Sequence, residues 1–174
     1  MKKKTIITSI TIISLIIISY LFFSHNADST QIGIRINNKA SSFYIVTVDN
    51  GVLDSSELRG KIIILTSFAT WCPSCKLEAE LLAAVYQKYK DKEVVFLTIS
   101  IDPGDTKEKI QQFKAEQNTP WYYADTIGGA EIMQKFFLTE LEITYIINKK
   151  GIITYKDNIT TSSSILDRKI NEQL

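Results

Sequence analysis

Two cysteines separated by two residues are the part of the sequence best suited to chemistry. Cys72 and Cys75 enclose Pro73 and Ser74, and they are the only cysteines in the chain. An exported domain that relied on disulfides for stability would carry more cysteines, spread along its length. This pair is therefore better suited to reaction than to cross-linking. Pairs with this spacing exchange disulfides with other thiols, and they also supply half of a zinc site.

The sequence around the pair favours redox chemistry. Ile62–Phe68 is a continuous apolar run, which predicts a strand buried on both faces, and Cys72–Tyr89 has apolar residues at helical spacing. Cys72 then lies at a helix start, where unpaired N–H groups and the helix dipole favour a thiolate. Pro73 fits the first turn, where a missing N–H costs nothing. We expect Cys72 to be the exposed nucleophile and Cys75 to resolve the mixed disulfide, which leaves a Cys72–Cys75 disulfide.

A zinc site needs two further ligands. The chain has no third cysteine and a single histidine, His25, next to an apolar N-terminal segment. We therefore expect neither a metal nor a cofactor. Three functions stay open: thiol–disulfide exchange by an enzyme, copper delivery by a chaperone that uses both cysteines, and binding without catalysis. Exchange is favoured because both cysteines are present at the spacing that such enzymes use.

The N-terminus predicts a membrane anchor. Lys2–Lys4 precedes Ile6–Phe23, an apolar run without charge, glycine or proline. About 20 apolar residues span a bilayer as a helix, and residues 24–28 offer no clean cleavage site for a signal peptidase. Because lysines stay on the cytoplasmic side, we expect residues 1–23 to be an uncleaved signal-anchor in the cell membrane and the remainder to be extracytoplasmic. A cleaved signal peptide and a buried soluble helix are the alternatives.

Beyond the anchor, the sequence predicts a tether at residues 24–37 and one α/β domain at residues 38–174. A hydrophobic fraction of 45% is enough for a core, and a net charge of +1 gives no reason to expect nucleic acid as a partner. Alternating strand and helix patterns predict a central β-sheet flanked by helices. Strands are predicted at 43–48, 62–68, 94–101, 121–124, 143–147 and 152–155, and helices at 72–89, 106–117, 130–137 and 164–173.

The segment Phe68–Lys76, Phe-Ala-Thr-Trp-Cys-Pro-Ser-Cys-Lys, closely resembles the active site of TlpA/ResA-like thioredoxin-fold proteins, which belong to the AhpC/TSA-thioredoxin-like superfamily. Ala40–Phe43, Ser56–Lys61 and Thr144–Gly151 resemble further family segments and occur in the same order. The resemblance implies a thioredoxin-like fold with a mixed central sheet. It also implies an oxidoreductase that reduces disulfides of exported proteins, including the haem-site cysteines of apocytochrome c during cytochrome c maturation. The electron donor is not specified by the sequence.

The resemblance assigns supporting roles to two residues near the cysteines. Trp71 matches an aromatic residue beside the family's active site, and Glu78 matches an acidic position that family members use near the cysteines. On residue type alone, Trp71 is also compatible with a core aromatic, and Glu78 with a solvated charge on a helix surface.

The chain departs from the family in a loop that faces the active site. Thioredoxin-fold oxidoreductases place a cis-proline opposite the cysteines, and alignment on Thr144–Ile147 puts Glu142 at that position. A non-proline cis bond costs about 3–4 kcal/mol, so we predict a trans Leu141–Glu142 bond in a loop near the Cys72 sulfur. A carboxylate there disfavours the thiolate and favours a reducing thiol. We also expect substrate docking and metal exclusion at this loop to differ from the family pattern.

A second resemblance is weaker. Ser100–Thr106 is similar to a segment of Sco-type copper chaperones and of peroxiredoxin relatives. Sco proteins use a CxxxC spacing and a distant histidine, and this chain has neither. Peroxiredoxins use one cysteine in a threonine-proline setting, which this chain also lacks. Asp102 and Pro103 are more simply interpreted as a turn at the end of a strand.

Overall fold

The computed structural model describes residues 31–174 and Ser19. The predicted anchor and the first part of the predicted tether therefore lie outside the described residues. Within the described part of the chain, none of the helices has the length and apolar character that a membrane crossing requires. Residues 32–174 form one unit, which starts before the boundary expected at residue 38. Asn37 belongs to it because its N–H donates to the Ile153 carbonyl over 2.8 Å.

The order of elements follows the predicted alternation of strands and helices. The strands are β1 Tyr44–Val46, β2 Val52–Asp54, β3 Ile62–Phe68, β4 Val94–Ser100, β5 Tyr122–Ala124, β6 Thr144–Ile147 and β7 Ile153–Asp157. The helices are α1 Pro73–Tyr89, α2 Lys107–Glu116, α3 Ala130–Phe136 and α4 Ser163–Asn171, with a 3-10 helix at Ser55–Leu58. Strand β2 and the 3-10 helix were not predicted, and the other elements differ from the predicted bounds by a few residues at their ends.

The central sheet has the strand order β5-β4-β3-β6-β7. Strands β3, β4 and β5 are parallel, whereas β6 pairs antiparallel with β3 and β7 pairs antiparallel with β6. The predicted mixed sheet and its closing hairpin are thus confirmed. Strands β1 and β2 form a separate antiparallel hairpin, which joins the domain through a bond from Val46 N–H to the Gly128 carbonyl.

Strand β3 lies at the centre of the sheet, and its two faces contribute to two hydrophobic clusters. Ile62 and Ile64 pack with residues of α1, α2 and α4 on one face. Ile63 and Leu65 pack with residues of α3 and of the β1–β2 hairpin on the other. Burial on both faces explains the continuous apolar run of this strand. The rigid strand leads directly into the loop that carries Cys72.

Candidate active site

Cys72 and Cys75 form a disulfide at the N-terminal end of α1, with their Cα atoms 5.2 Å apart. Cys72 is the N-cap of the helix, and its Sγ accepts a hydrogen bond from the Cys75 N–H over 3.1 Å. Pro73 is the first helical residue, where its missing N–H has no helical acceptor to lose. The sulfur of Cys72 thus already occupies the position at which the helix N-terminus favours negative charge.

Both cysteines are buried, and each is 3% exposed. The expectation that Cys72 is the exposed member of the pair is therefore wrong for this oxidised chain. The Ser74 hydroxyl lies 3.3 Å from the Cys72 sulfur, and the disulfide is packed in the cluster that covers one face of the sheet. Position at the helix start, rather than exposure, distinguishes Cys72 from Cys75.

Glu142 lies two hydrogen bonds away from the Cys72 sulfur. Its carboxylate accepts a bond from the Ser74 hydroxyl over 2.9 Å and another from the Thr160 hydroxyl. No peptide bond in the described residues is cis, so the Leu141–Glu142 bond is trans, as predicted. Glu142 has a φ of 61°, in the left-handed region that non-glycine residues seldom adopt. Three separate segments of the chain therefore meet at one carboxylate beside the disulfide.

Ser67, at the end of β3, fixes the Glu142 loop. Its carbonyl accepts the Glu142 N–H over 3.0 Å, and its N–H donates to the Ile143 carbonyl over the same distance. Its hydroxyl donates to the Glu140 carbonyl over 2.7 Å and accepts the Ile143 N–H over 2.9 Å. Ser67 thus binds the loop through both its backbone and its side chain. These bonds give the loop a defined position relative to α1.

Glu78 is buried one turn after Cys75, which contradicts the alternative of a solvated surface charge. Burial raises the pKa of its carboxyl to about 7. Hydrogen bonds from the Thr144 hydroxyl, over 3.0 Å, and from the Thr161 N–H oppose this shift, whereas the nearby carboxylates of Glu142 and Asp157 add to it. Cys75 and Glu78 line the same small cavity between α1 and the sheet.

Trp71 is 63% exposed, so the alternative of a core aromatic is wrong. Its indole N–H donates to the Asp102 carboxylate, and this bond lowers the pKa of Asp102 more than its other contacts do. Asp102 also accepts the Gly104 N–H over 2.7 Å, which confirms the predicted turn at the end of β4. The turn thereby holds an exposed aromatic ring beside the disulfide.

Asp105 is a buried carboxylate that joins the active-site loop to the end of β4. It accepts bonds from the Thr70 N–H over 2.9 Å, from the Thr70 hydroxyl, and from the Ser100 hydroxyl over 2.6 Å. The sequence interpretation missed this residue because it treated the segment after β4 as a turn only. Ser67, Ser74 and Thr160 were missed as well. The sequence offered one indication of these residues, which is that Ser67 is a polar residue inside the apolar run of β3.

No set of three or more His, Cys, Asp or Glu side chains in residues 31–174 is placed to hold a metal ion.

A profile of the AhpC/TSA family matches residues 36–156. The chain belongs to the AhpC/TSA family. The resemblance seen in the active-site segment is thereby confirmed.

This AhpC/TSA family member has relatives that are similar over most of their length. It is 27% identical to the thiol-disulfide oxidoreductase ResA of Oceanobacillus iheyensis, over 92% of this chain and 82% of that protein. It is 24% identical to ResA of Bacillus subtilis, over 98% and 95% of the two chains. A thioredoxin-family thiol:disulfide interchange protein of Chlorobium tepidum superposes with a TM-score of 0.71 at 23% identity, over 80% of this chain and 97% of that one. The last match confirms the thioredoxin-like fold.

Proposed function

We propose that this protein reduces disulfides of exported proteins from a membrane-anchored position outside the cytoplasm. The protein is a thiol–disulfide oxidoreductase, in line with its family and with the names of its relatives. The observation that carries the proposal is the Cys72–Cys75 disulfide at the first turn of α1. A pair in this place can exchange electrons with other thiols by passing between dithiol and disulfide.

In the proposed reaction, the Cys72 thiolate attacks one sulfur of a substrate disulfide. The substrate disulfide breaks, a mixed disulfide forms at Cys72, and one substrate thiolate leaves. The Cys75 thiolate then attacks the Cys72 sulfur, which forms the Cys72–Cys75 disulfide and releases the second substrate thiolate. Two electrons pass from the cysteine pair to the substrate, and the two protons lost by the cysteines are taken up by the released thiolates. An external dithiol donor restores the reduced pair.

Glu78 is placed to take the proton of Cys75. The second step needs a thiolate at Cys75, which is the third residue of the helix and lies further from its terminus than the N-cap Cys72 does. A carboxyl with a pKa of about 7 accepts and returns a proton near neutral pH at small cost. Cys75 and Glu78 line the same small cavity, which supports this assignment.

Glu142 and Ser74 favour the reducing direction. While the Ser74 hydroxyl donates to Glu142, its proton is not available to a thiolate at Cys72, 3.3 Å away. The negative carboxylate adds an unfavourable charge. Both effects disfavour the reduced thiolate form and so promote transfer of electrons to a substrate.

The location is supported by the sequence. Lys2–Lys4 and the apolar run Ile6–Phe23 have the order of a signal-anchor with its basic end in the cytoplasm. Residues 24–31 then connect this anchor to the domain. Apocytochrome c, whose haem-site cysteines must be reduced, is the exported substrate that the family resemblance favours.

Trapping of mixed disulfides tests the proposal. In cells that express Cys75→Ser, we expect exported proteins to accumulate as disulfides with Cys72, because the resolving thiol is absent. Cys72→Ser is the matched control and should trap none. Trapped partners are identified by non-reducing electrophoresis and mass spectrometry. Trapping by Cys72→Ser alone would reverse the roles of the two cysteines, and no trapping by either variant would contradict the proposed exchange.

A further inference from the structure

A large cavity with basic walls lies at the end of the domain away from the disulfide. Its volume is about 660 Å³. Its walls come from the segment before β1, from the stretch between β2 and β3, and from the turn between β6 and β7. Five of the lining residues are basic and one, Asp54, is acidic. The basic residues are Lys39, Arg59, Lys61, Lys149 and Lys150.

Carboxylates lie near three of these five cations, Arg59 near Asp54 and both Lys61 and Lys149 near Glu93, and only one of the five forms a salt bridge. Lys149 forms a salt bridge with Glu93 over 2.9 Å, and the Asp54 carboxylate is used to accept the Ser56 N–H over 2.7 Å. The other four cations form no salt bridge with any carboxylate of residues 31–174. Residues 32–174 as a whole carry one more carboxylate than cation. The cavity nevertheless gathers five cations around a single lining carboxylate, so it attracts anions.

The cavity and the active site lie at opposite ends of β3. The strand begins at Ile62, next to the cavity residue Lys61, and ends at Phe68, four residues before Cys72. Seven residues of strand cover roughly 23 Å. An object bound at the cavity therefore leaves the disulfide free.

The cavity is also where the chain enters the domain. Ile32, the first residue of the compact unit, lies on its wall. Only residues 24–31 separate this wall from the proposed anchor at Ile6–Phe23, and eight extended residues span at most about 29 Å. If the anchor is inserted, the basic wall is therefore held within reach of the bilayer surface.

We infer that the basic cavity is a docking surface for the headgroups of anionic phospholipids in the outer leaflet. Charge complementarity and the short connection to the anchor both support a membrane as the occupant. Docking leaves the end of the domain that carries the disulfide on the side away from the bilayer. The choice of the outer leaflet rests on the proposed membrane anchor, whereas binding of anionic headgroups at the cavity rests on its basic walls.

Acetylation of lysines on the full chain tests this docking. The chain is reconstituted into vesicles of phosphatidylcholine alone or of equal parts phosphatidylcholine and phosphatidylglycerol, in phosphate-free buffer of low salt. A membrane-impermeant amine reagent is added, and mass spectrometry gives the rate at each lysine. Lys39, Lys61, Lys149 and Lys150 should react at least threefold more slowly on the anionic vesicles, and 0.5 M NaCl should remove the difference. Equal rates on both vesicles would overturn the docking.

Variants in which three lysines are replaced by glutamate, at the cavity or at the active-site end, provide a matched comparison. In the triple variant Lys39→Glu, Lys61→Glu and Lys150→Glu, the remaining reporter Lys149 should react equally fast on both kinds of vesicle. In the control Lys76→Glu, Lys107→Glu and Lys109→Glu, which alters the active-site end by the same charge, Lys149 should stay protected on anionic vesicles. Loss of protection in the control as well would show a response to net charge and would contradict a docking surface at the cavity.

Two further measurements distinguish a wrong anchor from a wrong docking surface, and a membrane from free phosphate as the ligand. Extraction with alkaline carbonate tests the anchor alone. If the chain is extracted and yet shows protected cavity lysines at neutral pH, the anchor is wrong and the docking stands.

In the second measurement, inorganic phosphate is added to the chain in detergent without vesicles. Protection under that condition would identify a site for free phosphate and would overturn the assignment to a membrane.

Discussion

At the scale of single residues, the structure places the carboxylate of Glu142 beside the active-site disulfide. Glu142 holds the Ser74 hydroxyl, and that hydroxyl lies beside the Cys72 sulfur. The helix N-terminus favours the Cys72 thiolate, whereas Glu142 disfavours it. The reactivity of Cys72 is thus the balance of two opposing electrostatic effects that come from different parts of the chain.

The substitution Glu142→Gln removes the electrostatic effect that disfavours the Cys72 thiolate. It keeps the size of the side chain and eliminates the negative charge, so a larger fraction of reduced Cys72 should be thiolate at pH 7. We expect alkylation of Cys72 by iodoacetamide to become about threefold to tenfold faster. The pH dependence of the rate should shift to lower pH.

Controls separate charge from packing. Glu140→Gln changes a neighbouring carboxylate in the same loop and should leave the alkylation rate within a factor of two. Ser74→Ala combined with Glu142→Gln should have less effect than the two single changes added together, because the serine transmits part of the influence of Glu142. An unchanged rate in Glu142→Gln would show that its carboxylate does not act on Cys72.

Glu78 makes stability depend on pH. Because burial raises its pKa from 4.5 to about 7, the folded chain binds this proton more tightly than the unfolded chain does. Stability contributed by the protonated form is complete below pH 4.5 and is lost as pH rises toward 7. The loss corresponds to about 3 kcal/mol. Glu78→Gln should therefore raise the free energy of unfolding by roughly this amount at pH 8 and leave it nearly unchanged at pH 4.

Urea denaturation of the oxidised chain at a series of pH values measures this effect. Glu80→Gln is the matched control, since Glu80 lies on the same helix and is exposed. It should leave the pH dependence of the wild type intact. A Glu78→Gln chain with the same slope of stability against pH as the wild type would show that Glu78 does not carry this proton.

At the scale of elements, the ends of β3 and β4 hold the two loops that flank the disulfide. Ser67 fixes the Glu142 loop from β3, and Asp105 fixes the Thr70–Trp71 loop next to β4. Parallel neighbouring strands end at the same edge of a sheet, so their following loops meet there. The active site is therefore built at the ends of two neighbouring central strands.

Asp105→Ala should destabilise the oxidised chain by about 3 kcal/mol, because it leaves the partly buried Thr70 N–H and two hydroxyls without their charged acceptor. The midpoint of urea denaturation measures the loss. Asp91→Ala, at an exposed position in the turn between α1 and β4, is the control and should change stability by less than about 0.5 kcal/mol. Equal effects of both substitutions would contradict the anchoring role of Asp105.

Local patterns predicted the elements but not the contacts between their loops. The apolar run of β3 and the helical spacing after Cys72 were sufficient to locate the disulfide at the start of α1. Glu78 and Trp71 came from the family resemblance, and their burial and exposure required the structure. The bonds of Ser74 to Glu142 and of Thr70 to Asp105 join residues 68 and 35 positions apart. No periodicity in the sequence reports on such pairs.

At the scale of the whole molecule, the proposed orientation of the chain can be tested in cells. Proteinase K added to intact protoplasts should digest residues 32–174, because the proposed topology places Lys2–Lys4 in the cytoplasm and the domain outside. A cytoplasmic marker protein should survive the same treatment. Replacement of the three lysines by glutamate should reduce the digested fraction. Full protection of the wild-type domain would contradict the extracytoplasmic location.

The backbone of Glu142 also restricts how this sequence can evolve. Proline requires a φ near −65° and has no N–H, whereas Glu142 has a φ of 61° and donates its N–H to Ser67. A direct mutation of Glu142 to proline would be incompatible with the present loop. Glycine is the residue that tolerates both backbone conformations. A change from this loop to one with proline at position 142 would therefore need a glycine intermediate or simultaneous changes at neighbouring positions.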